Sequence, residues 1–240
     1  MATASSSLAA PAAPAGHGSP VKNLVEVFTN PSALFERLRI RPDWVLPFAI
    51  LCVFGMAMFF FLFPYMGQAS LKSLPDNAAP QQIAALRQYW TGYPKWSLLF
   101  APVGVGLGIL LSAAILTGLV SMFSGKAQFK PLFAAIVYAK LVTIPAGMLT
   151  ALVVYLRGHD AVQSMMDVQW TIGPAAFIPT ENKVIFGILS QFSLFEFWYI
   201  ALLVIAVQQI AGAKRGPAIS AVVIMWALGA CATIASSSFR

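Results

Sequence analysis

Charged residues are scarce in this chain. Asp, Glu, Lys and Arg make up only 10% of its 240 residues, whereas hydrophobic residues make up 59%. Ordinary soluble domains carry about a quarter charged residues. A soluble fold of this length could not bury so much apolar surface, so part of the surface must face lipid. The composition therefore indicates an integral membrane protein.

Cysteine is almost absent, and the two cysteines present do not suggest a disulfide. Cys52 and Cys231 both lie within apolar runs, near opposite ends of the membrane when the chain is threaded through it. A disulfide requires Cα atoms within about 7 Å of each other. We therefore expect two free thiols.

The chain also lacks recognisable catalytic and metal-binding motifs. It has no H-E-x-x-H, no clustered Cys/His set and no nucleophile elbow, and its histidines lie in a tail and a loop. Gly125-Lys126 resembles part of a phosphate-binding loop, but Val120 replaces the first glycine and Ala127 replaces the required Ser or Thr. We predict a non-enzymatic protein without a cofactor or a metal site.

The net charge is +7, but the basic residues lie mostly between apolar runs. No patch of interleaved basic and aromatic residues is visible, which argues against nucleic acid as a partner. Basic segments beside membrane spans set topology and attract anionic lipid headgroups. Membrane lipid is therefore the partner that the charge pattern predicts.

The first 44 residues divide into two parts. Residues 1–20 are rich in Ala, Ser, Pro and Gly and carry almost no charge, which predicts a disordered tail and not a secretory signal. Residues 21–44 have helical periodicity, with Asn30 as a helix N-cap and Pro31 at the first helical position.

The second helix of this segment is predicted to be amphipathic. Leu34, Phe35 and Leu38 share one side. A helix lying on the membrane surface would have this pattern, and its candidate contacts with lipid headgroups are Arg37, Arg39 and Arg41. A short helix packed over the ends of the spans would have the same pattern, so both interpretations stay open.

The rest of the chain contains five apolar runs, each long enough for the roughly 20 residues that cross a bilayer. An open chain in lipid must form helices, so the predicted fold is an all-α polytopic membrane domain over residues 45–235. The predicted spans are 45–66, 97–123, 131–156, 185–210 and 216–235.

Orientation follows from the basic residues beside the spans. Placing the N-terminus in the cytoplasm and the C-terminus outside puts eight basic residues inside and six outside. Those inside lie in short segments close to the spans, which carry the most weight. The six outside are Lys72, Arg87, Lys95, Arg157, Lys183 and Arg240.

Lys140 and Glu196 are the ionisable acid and base residues well inside the predicted spans. A charge at such depth costs about 3 kcal/mol or more, and their predicted depths differ by about 7 Å. A structural ion pair is our preferred interpretation, and a polar pocket for an ion, a proton or a lipid headgroup is the alternative.

Pro145 predicts a kink in span three. The aromatic cluster of span four, which includes Tyr199, is interpreted as packing bulk and lipid contact.

Three small residues in span two, Gly104, Gly108 and Ser112, recur every four positions and form one stripe on a helix. Such stripes allow helix backbones to approach closely. Packing against another helix of the same chain is the preferred interpretation, and a homodimer face is the alternative.

Several short motifs resemble those of the Yip family of membrane proteins, known for interacting with Rab GTPases. They are F-x-x-P-x-x-x-F over Phe28–Phe35, P-x-W over Pro42–Trp44, and Y-A-x-x-x-x-x-P over Tyr138–Pro145. The resemblance implies a five-span fold with a cytoplasmic N-terminus. The chain is similar to bacterial members, which implies the cytoplasmic (inner) membrane, and no catalytic residues carry over. Eukaryotic members act in vesicle trafficking through Rab partners.

Two functional hypotheses follow. The first is a non-enzymatic factor that binds a protein partner or a second copy of itself, or that organises the membrane. The second is a small transporter or channel with a polar pocket around Lys140 and Glu196.

Overall fold

A computed structural model describes residues 20–75, 77–92, 100–124, 126–178, 180 and 182–238. Almost all of the predicted disordered tail, 1–20, and the first residues of the predicted span two, 97–99, lie outside the described residues. The described residues form helices and no strand, which confirms the all-α prediction. The helices are α1 (Pro20–Thr29), α2 (Pro31–Ile40), α3 (Val45–Lys72), α4 (Pro80–Gly92), α5 (Ala101–Ser124), α6 (Phe129–Lys140), α7 (Thr143–Ala161), α8 (Met165–Val168), α9 (Lys183–Ser190), α10 (Leu194–Ala211) and α11 (Arg215–Ser238).

Within the described residues, five helical segments are long and apolar enough to cross a membrane, as predicted. They are α3, α5, α6 together with α7, α10, and α11. Their average hydropathy over 18 residues runs from 1.8 to 2.6. These segments are called spans one to five below.

Span three lies at the centre of the bundle. Of its most apolar 18 residues 56% are buried inside the protein, against 11% for span one. Every residue from Pro131 to Ala139 is buried, and α6 packs against α5 and α10. The residues of α6 from Pro131 to Ala139 are therefore surrounded by protein rather than by lipid.

The N-terminal helix pair packs on the bundle. The Asn30 side chain accepts a hydrogen bond from the Ala33 N–H (3.4 Å), so it caps α2 as predicted. Leu34, Phe35 and Leu38 are fully buried, with α2 lying against α10 and α6. Of the two interpretations left open by the sequence, this burial favours a helix packed over the ends of the spans.

The spans differ from their predicted bounds, and spans one, three and four differ most. Span three runs over Phe129–Ala161 rather than 131–156. Span one continues to Lys72, six residues beyond the predicted end at 66. The predicted span four is not one helix over 185–210, because the helix is interrupted at 191–193, between α9 and α10. The Ser193 side chain accepts a hydrogen bond from the Glu196 N–H (3.1 Å) and so starts a new helix.

The break in span four is held by the preceding loop. The Leu194 N–H donates to the Ile172 carbonyl (2.8 Å). At Gly173, a Cβ atom would lie 2.7 Å from the Phe192 carbonyl oxygen. Such a distance is far below van der Waals contact, so this close approach of two backbone segments requires glycine. The loop and the break therefore depend on each other.

Candidate functional site

Lys140 is the last residue of α6 and lies at the break in span three. It follows the start of that span by eleven residues, which corresponds to about 16 Å along the helix, or about half of a 30 Å hydrocarbon core. Its side chain is half-buried. The Nζ atom lies 4.3 Å from the centroid of the Tyr199 ring. At this distance the electron-rich face of the ring attracts the ammonium group.

Glu196 lies one turn before Tyr199 on α10 and is half-buried. It is close enough to Lys140 for an electrostatic interaction. The two do not form a direct ion pair; in the described part of the chain, direct ion pairs join Glu26 to Lys22 and to Arg37. The structure therefore brings the two predicted residues together, with Tyr199 as the nearest partner of the lysine.

Trp226 of α11 completes this group of side chains. Its indole lies beside the Glu196 carboxyl group, although the buried Nε1 atom has no hydrogen-bond partner of good geometry. Four side chains from three spans therefore surround one point at mid-depth. We call Lys140, Glu196, Tyr199 and Trp226 the polar cluster.

The kink predicted at Pro145 lies about one turn earlier, at Leu141–Val142. Proline has no N–H to donate to the carbonyl four residues before it, and its ring crowds that carbonyl. Pro145 thus falls in the first turn of α7, where proline is tolerated. The freed groups find local partners: the Ile144 N–H donates to the Leu141 carbonyl (3.0 Å), and the Thr143 hydroxyl donates to the Lys140 carbonyl (2.7 Å).

A groove of about 570 Å³ opens beside the break, between spans one, two and three. Lys140 lines it together with Ser112 and Thr143. Small residues on each of the three spans also line it: Gly55, Gly108 and Gly147. We call this space the Lys140 groove. It is mostly apolar, and Thr150 is the remaining polar residue of its described lining.

The small-residue stripe of span two borders the same groove. Gly104 and Gly108 are exposed, and apart from chain neighbours and the backbone of α5 itself, no described atom lies within 4 Å of the position that a Cβ atom would take at either glycine. Ser112 is half-buried and donates to the Gly108 carbonyl (2.8 Å). The described residues thus show no helix of the same chain packed on the two glycines, which was the preferred interpretation of the sequence.

The three arginines predicted to contact lipid headgroups differ in their surroundings. Arg37 is half-buried; it forms an ion pair with Glu26 and donates to the Asn23 side chain (3.1 Å). Arg39 and Arg41 are exposed. Contact with lipid stays a prediction for all three, and the two exposed residues are better placed for it.

Sequence reasoning missed the roles of Tyr199 and Trp226. The sequence predicts packing and lipid contact for Tyr199, although it stands three residues after Glu196 and therefore on the same face of a helix. No local signal in the sequence links Trp226 to this face, because its position depends on how span five packs. The described residues contain no group of three or more His, Cys, Asp or Glu side chains close enough to hold a metal ion.

Comparison with known proteins agrees with this architecture. A family model described as the Yip1 domain matches residues 25–236. No curated protein and no solved structure matches the chain. The matched region begins in α1 and includes all five spans found in the described residues. The chain therefore belongs to the Yip1-domain family of multi-pass membrane proteins.

Proposed function

We propose that the chain is a non-enzymatic bacterial inner-membrane protein that binds a second membrane-embedded protein through span two. The observation that carries this proposal is the exposure of Gly104 and Gly108, whose Cβ positions have no described residue within 4 Å. We also propose that the N-terminus is cytoplasmic and the C-terminus outside, as the basic residues beside the spans favour.

A small-residue stripe binds another helix because the absence of side chains allows the two backbones to come into contact. In lipid there is little hydrophobic driving force between helices, so close van der Waals packing supplies much of the association energy. Glycines in a stripe that faces outward allow close helix packing only if a second helix covers the stripe. The occupant we propose is a second copy of this chain, because two identical stripes can pack on each other about a two-fold axis.

The Lys140 groove strengthens the case for a binding face. Gly108 and Ser112 line the groove as well as the stripe, so a helix seated on the stripe would also cover the groove. Closing the groove would remove Lys140 from lipid and leave it with the polar cluster. Association would thereby reduce the cost of holding a lysine at mid-depth, which insertion scales put at about 3 kcal/mol.

The oligomeric state of the gently purified protein tests this proposal. Native mass spectrometry is expected to show a dimer for the wild type and a loss of at least tenfold in the dimer-to-monomer ratio for Gly108→Leu. Ala114→Leu is the matched control, because Ala114 is an exposed small residue on the same helix but off the stripe. A wild-type monomer that retains no other protein contradicts the proposal, and so does an equal loss in both variants.

We also propose that anionic lipid is a partner at the cytoplasmic end, through Arg39 and Arg41, with Arg37 contributing mainly to the packing of α1 on α2. Each basic residue near an anionic surface adds about 1 kcal/mol of attraction. Retention of phosphatidylglycerol by the full chain is expected to fall in the double variant Arg39→Gln/Arg41→Gln. Unchanged retention would remove lipid contact as their role.

A small transporter or channel is the second candidate, and one observation favours it. The helix is interrupted within span three at Leu141–Val142 and just before span four at 191–193, and residues of the polar cluster adjoin both interruptions. Lys140 directly precedes the first, and Glu196 follows the second by three residues. Discontinuous helices form the substrate sites of many transporters. Flux of ions through proteoliposomes is expected to fall in Lys140→Ala if this is the function. Flux that is absent, or equal in the wild type and the variant, excludes a transport role for the lysine.

A further inference from the structure

A second cavity lies at the other end of the bundle from Arg41. It has a volume of about 930 Å³, within the range of roughly 300 to 1,000 Å³ that is typical of small-molecule sites. The end of α3, the end of α7 and the start of α9 surround it, and the loop between α7 and α9 covers one side. Lys72, Arg157 and Lys183 line it, and we call it the basic cavity.

Basic residues outnumber acidic residues in the described lining of the cavity. Asp167 is the one acidic residue among the described residues that line it. Its carboxylate is already used inside the loop, where Oδ2 accepts hydrogen bonds from the N–H groups of Gln163 (3.0 Å) and Ser164 (2.8 Å). Lys72 donates one hydrogen bond to the Asp160 carbonyl (3.2 Å), which leaves two of its three N–H groups.

The three basic residues come from distant parts of the chain. Positions 72, 157 and 183 lie at the ends of different helices, so only the tertiary fold places them around one space. With the N-terminus inside, the topology leaves six basic residues of the sequence on this side, and these are three of them. Basic residues outside oppose the usual charge bias of membrane proteins. The fold nevertheless brings these three residues to one cavity, which a binding role would explain.

The cavity also has an apolar border. Ile178 and Phe186 line it, and the side chain of Ile178 is 49% exposed, while that of its neighbour Phe177 is 81% exposed. Basic groups above an apolar surface suit a ligand with an anionic head, and Trp170 and Thr171 on the wall add apolar surface and a hydroxyl donor. Phosphate is the common anion that accepts several hydrogen bonds from lysine and arginine at once.

We propose that the basic cavity is a binding site for a phosphate group, either in a lipid headgroup or free in solution. Arg157 is its central residue because a guanidinium can donate two parallel hydrogen bonds to phosphate oxygens. Lys72 adds a second positive charge at the end of α3, and Lys183 lines the same cavity at the start of α9. This site is distinct from the Lys140 groove and from the arginines at the opposite end.

The test uses the full chain in a neutral detergent and two probes. The first probe is phosphatidylglycerol compared with phosphatidylcholine, with retained lipid counted by native mass spectrometry. The second is inorganic phosphate compared with chloride at equal ionic strength, read as a shift in unfolding temperature. Arg157→Gln is the test variant and Arg157→Lys its conservative partner. Arg87→Gln is the matched control, since Arg87 is exposed on α4 and does not line the cavity.

Each basic residue near the membrane surface contributes roughly 1 kcal/mol, which corresponds to about a fivefold change in affinity. Arg157→Gln is therefore expected to lower the binding of one probe about fivefold. Arg157→Lys is expected to retain most of the binding, and Arg87→Gln all of it. An effect on phosphatidylglycerol identifies a lipid headgroup site, and an effect on inorganic phosphate alone identifies a soluble ligand. The proposal is overturned if neither probe binds, or if Arg87→Gln loses as much as Arg157→Gln.

Discussion

Replacing Lys140 with methionine and Tyr199 with leucine, singly and together, measures how the polar cluster holds its lysine. Methionine keeps the length of the side chain and removes the charge. Leucine fills part of the buried space of the tyrosine and removes the ring. If the lysine is stabilised by the ring, each single change should lose the same interaction, and the double variant should lose it only once.

The expected coupling follows from the geometry. The ammonium lies 4.3 Å from the ring centroid, well inside the 6 Å limit for cation–π attraction, and Tyr199 is 7% exposed. Such contacts contribute about 0.5 to 1 kcal/mol at exposed sites and about 2 kcal/mol when desolvated. A half-buried lysine against a buried ring should therefore show a coupling of about 1 to 2 kcal/mol.

The assay is reversible unfolding in mixed detergent, followed by tryptophan fluorescence. Tyr155→Leu provides the matched control cycle, because Tyr155 lies on span three, four turns after Lys140, and is 65% exposed. The loss of unfolding free energy in Tyr155→Leu should add to the loss in Lys140→Met within about 0.5 kcal/mol. A Tyr199 coupling as small as the Tyr155 coupling would refute the assignment of the ring as the partner of the lysine.

Two further changes test the fold around the site. Gly173→Ala should destabilise the protein by about 1 to 3 kcal/mol, because its Cβ would lie 2.7 Å from the Phe192 carbonyl oxygen; Gly229→Ala, with no described atom within 4 Å, should be neutral or stabilising. Thermal unfolding checks both, and equal midpoints would show that the close approach does not exist. Arg37→Ala should cost about 1 to 3 kcal/mol because it breaks the ion pair between α1 and α2, whereas Arg39→Ala, at an exposed position, should change stability by less than about 0.5 kcal/mol. Equal losses would contradict the different surroundings of the two arginines.

The features that the sequence predicted well are those with a local cause. A run of apolar residues long enough to cross lipid must form a helix whatever surrounds it, so the five spans followed directly. The cap of α2 needs only Asn30 and the three residues after it. The small-residue stripe was likewise visible from spacing alone, although its exposure was not.

The features that could not be predicted depend on contacts between distant residues. Span four carries a local signal of its break, because Ser193 and Glu196 have the S-x-x-E spacing of a helix start. The contact that holds the break depends on the distant loop backbone at Gly173. The sequence predicts an acidic partner for Lys140, because opposite charges attract most strongly in an apolar environment. The ammonium of Lys140 instead contacts the ring of Tyr199, because of the way α10 is rotated against α6. Sequence spacing does not determine that rotation.

The central position of span three has a consequence for how the protein is made. Lys140 leaves the ribosome about 60 residues before Tyr199, which at 5 to 20 residues per second means about 3 to 12 s. During that interval the lysine has no ring to contact, and span three is among the least apolar of the five, with an average hydropathy of 1.8. The half-made chain must therefore hold a charged helix at the insertion machinery, or paired with span two, until span four arrives. Truncation before Tyr199 should leave span three outside the bilayer more often than truncation after Ala211.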